Sequence, residues 1–501
     1  VVEKGRTKRY YYGREILNLY IWRKSSMSNV TNNPAIQRMN ELLDEHSFVE
    51  LGALVTSRNT DFDLNQQQTP SDGVVIGHGL IDGNLVFVFS QDASVLNGSI
   101  GEMHAKKIMS VYDMAMKMGA PVIGLLDSIG VRLQESVDAL ESIGAIYAKA
   151  VAASGVIPQI MGVFGSCGGG LSVLTSVSDF ALMTKDAKLF VNSADAISGN
   201  RADKLDTASA DFQYAEAGNV DFVGDEAEVM EEIRGFVTIL PGCNVEEGCV
   251  EECMDDLNRA AEGLDGKVKN LALFAEEISD NHLFVETKAG FAKEMLTGFI
   301  KLNGITVGVV GNREETMAGD EVVDLGTKLT SDGCEKAADF VSFCDAFDIP
   351  VLSLTNTTGY EASVCAEKHL AKALGKMVYA FANATVPKIS FLCGQALGSA
   401  YVTMNAKSLG ADLVFAFADA DVAPMDAELA AKIMYADASA DVIAAKAEEY
   451  ANTNCGVANA ARRGYVDRIV EPADARKYLI AGFEMLFTKR VDGPYKKHGT
   501  K

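Results

Sequence analysis

Two stretches of this chain are related by a constant offset of 229 residues without a gap, and that relation decides most of what the chain can fold into. Pro121-Val122 recurs as Pro350-Val351, Leu125 as Leu354, Gly130 as Gly359, Ala153 as Ala382, Pro158 as Pro387, Ile160 as Ile389, Gly165 as Gly394 and Gly169 as Gly398. A shared strand-helix rhythm would align apolar positions alone, whereas here the glycines and prolines align as well. The chain therefore reads as two copies of one unit.

The unit itself reads as parallel α/β. Residues 33–48 form a short amphipathic helix with Ile36, Met39, Leu42 and Leu43 on one face. Residues 73–89 give two strands joined by a tight Asp82-Gly83 turn, a pattern repeated around Asn303-Gly304 in the second copy. A helix over 102–117, an apolar strand over 121–126, a helix over 136–154, and a strand from Pro158 into Gly165-Ser166-Cys167-Gly168-Gly169-Gly170 follow, then a helix of small residues and a strand at Phe180-Met183. Strands alternating with helices in this way build a parallel sheet. The acidic segment 203–281 separates the copies, with helices expected over 226–236 and 249–261, and helices over 439–487 close the chain.

Charge and composition restrict the function. A formal charge of -24 argues against a nucleic-acid surface, so no nucleic-acid partner is expected. Nine irregularly spaced cysteines suit a reducing compartment, and a cytoplasmic location is expected. Cys243, Cys249 and Cys253 cluster without a histidine to complete a zinc pattern, so no metal is expected. Residues 1–32 read as an N-terminal extension in which basic residues surround Tyr10, Tyr11 and Tyr12, and Met27 offers a start site. No apolar run of about 18 residues suggests a membrane span.

The chemistry-bearing feature is the glycine turn at the end of each unit's strand. In an α/β unit ligands sit at the carboxyl ends of the strands. GSCGGG at 165–170, placed before a helix, leaves backbone N–H groups unobstructed and able to face an oxygen that gains negative charge. Close strand-helix packing would account for one glycine rather than three. The loop Ile129-Gly130 lies opposite and is a candidate for a second donor. In the second copy the turn reads Cys393-Gly394-Gln395-Ala396-Leu397-Gly398-Ser399-Ala400, with serine where the first has a further glycine. Neither turn is a phosphate loop or a dinucleotide fingerprint. The six histidines pair with no nucleophile elbow, and His104 reads as a surface residue.

These pieces resemble the carboxyltransferase subunits of biotin-dependent enzymes, the beta subunits of propionyl-CoA and acyl-CoA carboxylases and the alpha subunits of methylmalonyl-CoA and glutaconyl-CoA decarboxylases. The resemblance spans about 34–499 and is carried by Ser154-Gly155-Val156-Ile157-Pro158-Gln159-Ile160, Gly165 to Gly170, Asp179-Phe180, Lys336-Ala337-Ala338-Asp339-Phe340, Phe343-Cys344-Asp345-Ala346-Phe347, Ala384-Thr385-Val386-Pro387-Lys388, Gly398-Ser399-Ala400-Tyr401, Arg463-Gly464-Tyr465-Val466-Asp467 and Lys496-Lys497-His498-Gly499. It implies tandem crotonase-like domains, here 33–270 and 271–501, in a hexamer where the first domain of one subunit faces the second of its neighbour. It implies transfer of a carboxyl group between biotin on a separate carrier protein and a short-chain coenzyme A thioester, with a biotin carboxylase or membrane decarboxylase subunits as further partners. Gly169 and Gly170 would hold the thioester oxygen, with Gly130, Gly165, Cys167 and Gly168 at the acyl-CoA. Gly398 and Ser399 would hold the ureido oxygen of biotin, with Gly359, Gly394 and Ala400 beside it.

The sequence departs from the family pattern where Asn356 to Ser363 replaces a proline-glycine loop, where Gly394-Gln395 replaces an arginine-lysine pair, at Ser399, and around Asp211 to Gly218, where paired glycines and a histidine are expected. Two other readings stay open. One is a catalytically reduced scaffold subunit. The other is a biotin-independent crotonase-type hydratase or isomerase, for which Glu135 or Glu141 would supply the carboxylate. The tetrapeptide Ala115-Met116-Lys117-Met118 matches a biotin-acceptor motif but falls in a helix rather than on a hairpin, so it is read as coincidence.

Overall fold

The computed structural model describes residues 33–58, 64, 67–246, 253–319, 321–491, 494, 496 and 498–500; the N-terminal extension and most of the acidic cysteine cluster lie outside them. The first unit contains helix α1 (Pro34–Leu42), strands β1 (Val49–Leu51), β2 (Val74–Ile81) and β3 (Asn84–Gln91), helix α2 (Glu102–Met118), strand β4 (Val122–Ser128), helix α3 (Ser136–Ala153), strand β5 (Gln159–Gly168), helix α4 (Ser172–Val177), strands β6 (Phe180–Thr184), β7 (Lys188–Phe190) and β8 (Phe222–Gly224), and helix α5 (Glu226–Ile239). Its strands lie in the order β1-β2-β3-β4-β5-β6-β8, with β7 also on β5. The first two pairings are antiparallel and the others parallel.

The second unit repeats this strand for strand. Helix α6 (Leu271–Ile278) precedes β9 (Phe284–Glu286), β10 (Met295–Leu302) and β11 (Ile305–Asn312), and helix α7 (Ser331–Ala346) leads to β12 (Val351–Thr357). Helix α8 (Leu370–Asn383), β13 (Lys388–Leu397), helix α9 (Gly398–Thr403), β14 (Leu413–Ala416), β15 (Asp421–Ala423) and β16 (Arg468–Ile469) complete a sheet in the order β9-β10-β11-β12-β13-β14-β16, with β15 on β13. Helices α10 (Ala427–Met434), α11 (Ala440–Asn454), α12 (Val457–Arg462) and α13 (Ala475–Leu486) complete the unit, with α13 packed on the face of the sheet against Ile389 and Phe391. The hairpins predicted at Asp82-Gly83 and Asn303-Gly304 are both present, all four residues having φ between 48° and 82°. Two consecutive left-handed residues give the turn twist that matches paired strands.

The duplication reaches below the backbone. Lys107 on α2 and Lys336 on α7, 229 residues apart, are both buried and turn their ammonium groups onto carbonyls of the loop that leads into each unit's long hairpin. Lys107 donates to Ser71 O at 3.1 Å and Lys336 to Lys288 O at 2.8 Å and Phe291 O at 2.9 Å. Burial lowers their pKa values to about 8 and about 7. The units share a core in which Phe180 of the first stacks on Phe236 at 4.4 Å and meets Phe343 of the second edge-on at 4.9 Å.

One predicted helix is corrected. The described part of 249–261, Cys253 to Ala261, is irregular. Its Asp255 and Asp256 serve the fully buried Arg476 of α13 through a carboxylate at 3.3 Å and a carbonyl at 2.8 Å, so side-chain pairing outweighs the helical pattern. Ala261 and Leu264 pack with Phe274, Phe391 and Phe417 in the core of the second sheet. Among the described residues no helix is long and apolar enough to cross a membrane, and no cluster of three ligating side chains is arranged for a metal. The stretch Ala115 to Met118 is helical, with Ala115 fully buried.

Candidate active site: two glycine turns on bulged strands

Each turn is aimed by an irregularity in its sheet. The β4/β5 ladder pairs Leu126 with Val163 and resumes at Ser128 with Cys167. The β12/β13 ladder pairs Thr355 with Leu392 and resumes at Thr357 with Ala396. In each case one residue, Asp127 or Asn356, stands opposite three. Extra residues on one strand bend it and break the ladder. Beyond the bulge each strand pairs again, β5 with β7 and β13 with β15, and the glycine turn begins at the end of that short segment.

In the first unit Gly169 has φ +61° and no atom within 4 Å of where a Cβ would stand, so the turn takes a left-handed residue and leaves its outer face open. The carbonyls around it are fixed. Ser172 Oγ donates to Gly169 O at 2.7 Å, and Tyr147 Oη of α3 donates to Gly170 O. A carbonyl shares its rigid peptide plane with the next N–H. These two bonds therefore orient the N–H groups of Gly170 and Leu171. Gly168 packs on the Phe190 ring, and Gly130 lies over the Gly168 carbonyl, where a Cβ would come to 2.9 Å.

The predicted second donor from the 129–130 loop is corrected. Ile129 N already donates to Asn97 O at 3.3 Å and Gly130 N to Ser128 Oγ at 3.1 Å, so both N–H groups are spent within the fold. Cys167 points into the core, where burial raises its thiol pKa, so its side chain does not reach the turn's open face. Gly165 is required by packing: a Cβ there would meet Asp127 Oδ1 at 2.0 Å.

Behind the loop lies a network that the sequence did not disclose. Arg132, Asp72 and Glu135 are all buried, with Arg132 Nη1 2.6 Å from Asp72 Oδ1 and 2.9 Å from Glu135 Oε1. Glu135 Oε2 accepts from the Glu102 N–H that opens α2, and Arg132 Nη2 donates to Ser99 O at 2.6 Å. His104, expected at the surface, is fully buried. Its backbone N–H donates to Asp72 Oδ2 at 2.8 Å, its Nδ1 lies 2.9 Å from Asp72 O, and its Nε2 lies 3.1 Å from Gln91 Nε2. Gln91 must donate to Nε2, so the proton sits on Nδ1. Burial, with Arg132 and Lys107 nearby, lowers the histidine pKa to about 3. Gln91 Oε1 then accepts from Asp127 N at 3.1 Å, which joins the network to the bulge. The carboxylate offered for a hydratase fails here: both oxygens of Glu135 are engaged internally, and Glu141 faces solvent.

The second turn keeps the skeleton with lighter fittings. Gly398 has φ +62° and its nearest neighbour to a Cβ is Pro424 O at 3.4 Å, Ser399 is exposed, and Ala400 is buried in the core. Gly359 has φ +146° with open space at the Cβ position, and its N–H donates to Thr357 Oγ1 at 3.3 Å. Gly394 lies against Asn356 Oδ1, 2.6 Å from the Cβ position. The positions matching Tyr147 and Ser172 by the offset are Lys376, paired with Glu335, and Tyr401, so neither carbonyl pin is repeated. Where paired glycines and a histidine were expected, Phe212–Glu216 forms a π-helical turn and Tyr214 packs on Gly290.

Residues 31–500 match the family model described as carboxyl transferase domain. The alpha subunit of methylmalonyl-CoA decarboxylase from Propionigenium modestum is 36% identical over 484 residues, 93% of this chain and 92% of that one. The propionyl-CoA carboxylase beta chain from Roseobacter denitrificans is 38% identical over the same shares. Among solved structures, transcarboxylase 12S with methylmalonyl-coenzyme A and methylmalonic acid bound superposes with a TM-score of 0.88 at 33% identity, covering 100% of this chain and 99% of that one.

Proposed function

The chain belongs to the carboxyl transferase domain family, and from that premise we propose that it transfers a carboxyl group between biotin on a separate carrier protein and a short-chain acyl-CoA. The observation that carries this reading is the pair of bulged strands ending in open glycine turns, one per unit, with both oxygens of the buried Glu135 behind the first turn already engaged and so not available as a general base. Gaining or losing a carboxyl group at the α-carbon of a thioester places charge on the thioester oxygen. Backbone donors fixed in advance at Gly169 and Gly170 answer that charge, and a single such donor is worth roughly 3–4 kcal/mol of barrier. Ser172 orients the Gly170 N–H through the Gly169 carbonyl, and Tyr147 orients the Leu171 N–H beside it through the Gly170 carbonyl.

The second turn fits a flat cyclic urea, because neither Gly359 nor Gly398 has a side chain in the way of the backbone and Ser399 is open to solvent. Biotin supplies a nitrogen that carries the carboxyl group between sites. Gly398 and Ser399 hold its ureido oxygen, with Gly359, Gly394 and Ala400 shaping the surround, while Gly130, Gly165, Cys167 and Gly168 shape the acyl-CoA side through backbone and packing. The protein works as a homo-oligomer, a hexamer like the assembly named for transcarboxylase 12S, in the cytoplasm. An apolar edge beside the first turn supports this: Ile129, Leu133, Val137 and Leu140 are all more than half exposed in the single chain. A biotin carboxyl carrier protein and either a biotin carboxylase or membrane decarboxylase subunits complete the system.

The test is loss of carboxylate from malonyl-CoA and methylmalonyl-CoA in the presence of a biotinylated carrier. Avidin-sensitive loss is expected. Absence of transfer with every carrier and thioester tried overturns the reading, and avidin-insensitive hydration of an enoyl-CoA would replace it.

A further inference from the structure

The mechanism above makes no use of the residue that stands alone in each bulge, although the duplication has kept one there in both units. With three residues of β5 facing Asp127, and three of β13 facing Asn356, a backbone N–H on the longer side loses its ladder partner. The lone side chain replaces it. Asp127 Oδ1 accepts from Ser166 N at 3.3 Å, and Asn356 Oδ1 accepts from Gln395 N at 3.0 Å. Each lone residue is in turn held by the amide ending the preceding strand: Gln91 Oε1 accepts from Asp127 N at 3.1 Å, and Asn312 Oδ1 accepts from Asn356 N at 3.0 Å.

Geometry is retained between the units but charge is not. Asp127 Oδ2 lies 3.4 Å from both Nη atoms of Arg38, whose guanidinium also sits over the Phe164 ring at 5.1 Å and reaches the half-exposed Glu226 at 3.7 Å. In the second unit the space beside Gly394 is shared by Asn356 and an apolar side chain, Asn356 Oδ1 lying 2.6 Å and Val268 Cγ1 3.4 Å from the Gly394 Cβ position. The flanking Lys267 and Lys269 are paired with Glu277 and with Glu314. A carboxylate goes with a cation and a neutral amide with a methyl group. A buried charge without its partner is costly, so each combination is self-consistent.

We propose that Asp127 and Asn356 are positioning residues that set the two turns, and that Asn356 is neutral so that no fixed anion stands behind the turn where the carrier's oxygen gains charge. This rests on the proposed carboxyl transfer. Asn356→Asp keeps the shape and the acceptor, exchanges the Nδ2 donor for a second acceptor oxygen and adds a negative charge. Transfer in this variant is expected to fall about 10²-fold near pH 8, the scale of one displaced oxyanion donor, with KM for the acyl-CoA unchanged. Protonation restores a neutral group, and because the position is buried with no cation paired to it among the described residues, the new carboxyl titrates above the ordinary value of about 3.9, so the deficit relative to wild type shrinks as pH is lowered toward that range. A variant as active as wild type near pH 8, or one whose deficit is the same at every pH, overturns the charge argument.

A second measurement does not depend on activity. Asn356→Ala removes the acceptor, and amide hydrogen exchange in a peptide spanning residues 392–400 is expected to quicken about tenfold, the value of one ordinary hydrogen bond. Unchanged exchange overturns the positioning role. Should the wild-type protein transfer nothing, the functional reading fails while the exchange result still decides whether Asn356 sets the turn.

Discussion

The first glycine turn is braced by buried charge and the second by neutral amides, although both spring from the same bulge in the same strand of the same sheet. Arg132, Asp72, Glu135 and His104 tie the loop after β4 to α2 and to the approach of β2, and Gln91 passes that connection to Asp127. In the second unit the loop after β12 is held by Thr357 Oγ1 donating to Thr327 O at 3.0 Å, and Glu361, at the offset of Arg132, is partly exposed and accepts from Ser363 Oγ at 2.9 Å. Duplication has preserved what the backbone must do and let the supports diverge. Under the proposed function the divergence has a reason, since the first turn would face a bulky thioester that benefits from a rigid cradle and the second a carrier-borne ring that arrives and leaves.

The harshest way to break this comparison is to remove the cation from the buried cluster. Arg132→Met leaves Asp72 and Glu135 buried together without the cation that pairs them and is expected to cost about 3–5 kcal/mol, seen as a fall in the urea midpoint. Glu361→Gln at the matching position is expected to stay within about 0.5 kcal/mol. Equal losses would show that the second loop depends on charge as heavily as the first.

Function sharpens the comparison next. Gly169→Ala and Gly398→Ala each force a side chain into left-handed backbone at a cost of about 1–2 kcal/mol and shift the following donors. Each is expected to lower kcat about 10²-fold, roughly 2.7 kcal/mol of transition-state stabilisation. The two should differ in what else moves: KM for acyl-CoA with the first, KM for the biotinylated carrier with the second. Identical profiles would contradict the division of labour.

Much of this was legible because repeats and glycines are read from spacing. The offset of 229 residues carried the succession of strands and helices from Pro121 onward and the correspondence of Gly169 with Gly398, while the Asp82-Gly83 and Asn303-Gly304 pairs marked the two hairpins by themselves. What stayed hidden was the polar bracing. His104 precedes Lys106 and Lys107, and a basic stretch reads as solvent-facing when its carboxylate partner, Asp72, is 32 residues away. The same holds for Arg132 and for Tyr147, whose single contact with Gly170 spans 23 residues and leaves no periodic trace. One clue was available: Lys107 and Lys336 occupy matching positions in otherwise amphipathic helices, and a cation repeated by duplication at a buried position has a structural task.

Acid separates the units on a smaller scale. His104 is neutral in the folded protein with its pKa near 3, whereas an unfolded histidine binds a proton near 6.5. The unfolded chain therefore takes up more protons between these values, and the stability is fully present above about pH 6.5 and declines by about 1.4 kcal/mol per unit as pH falls toward 3. Asp72, Arg132 and Lys107 face the ring and share in the response. His104→Gln should flatten the slope of the unfolding midpoint between about pH 6 and pH 4 if histidine protonation drives it, and an unchanged slope would assign the acid response elsewhere.

The gentlest probe is Tyr147→Phe, which deletes one hydroxyl. Tyr147 Oη donates to Gly170 O from a half-buried position on α3, and a neutral hydrogen bond of this kind contributes about 1 kcal/mol. If the bond merely adds stability, the variant loses that amount and keeps its kcat. If it orients the Leu171 N–H through the shared peptide plane, kcat falls several-fold beyond what the stability change explains, and exchange quickens across residues 168–173 while the peptide around Gly398 is unaffected. The second turn has Lys376 at this offset, engaged with Glu335 at 2.8 Å, so Lys376→Met should leave the second turn's exchange unchanged. A matching effect from both substitutions would mean that the two turns are supported alike after all, and that the asymmetry in their fittings is not what distinguishes them.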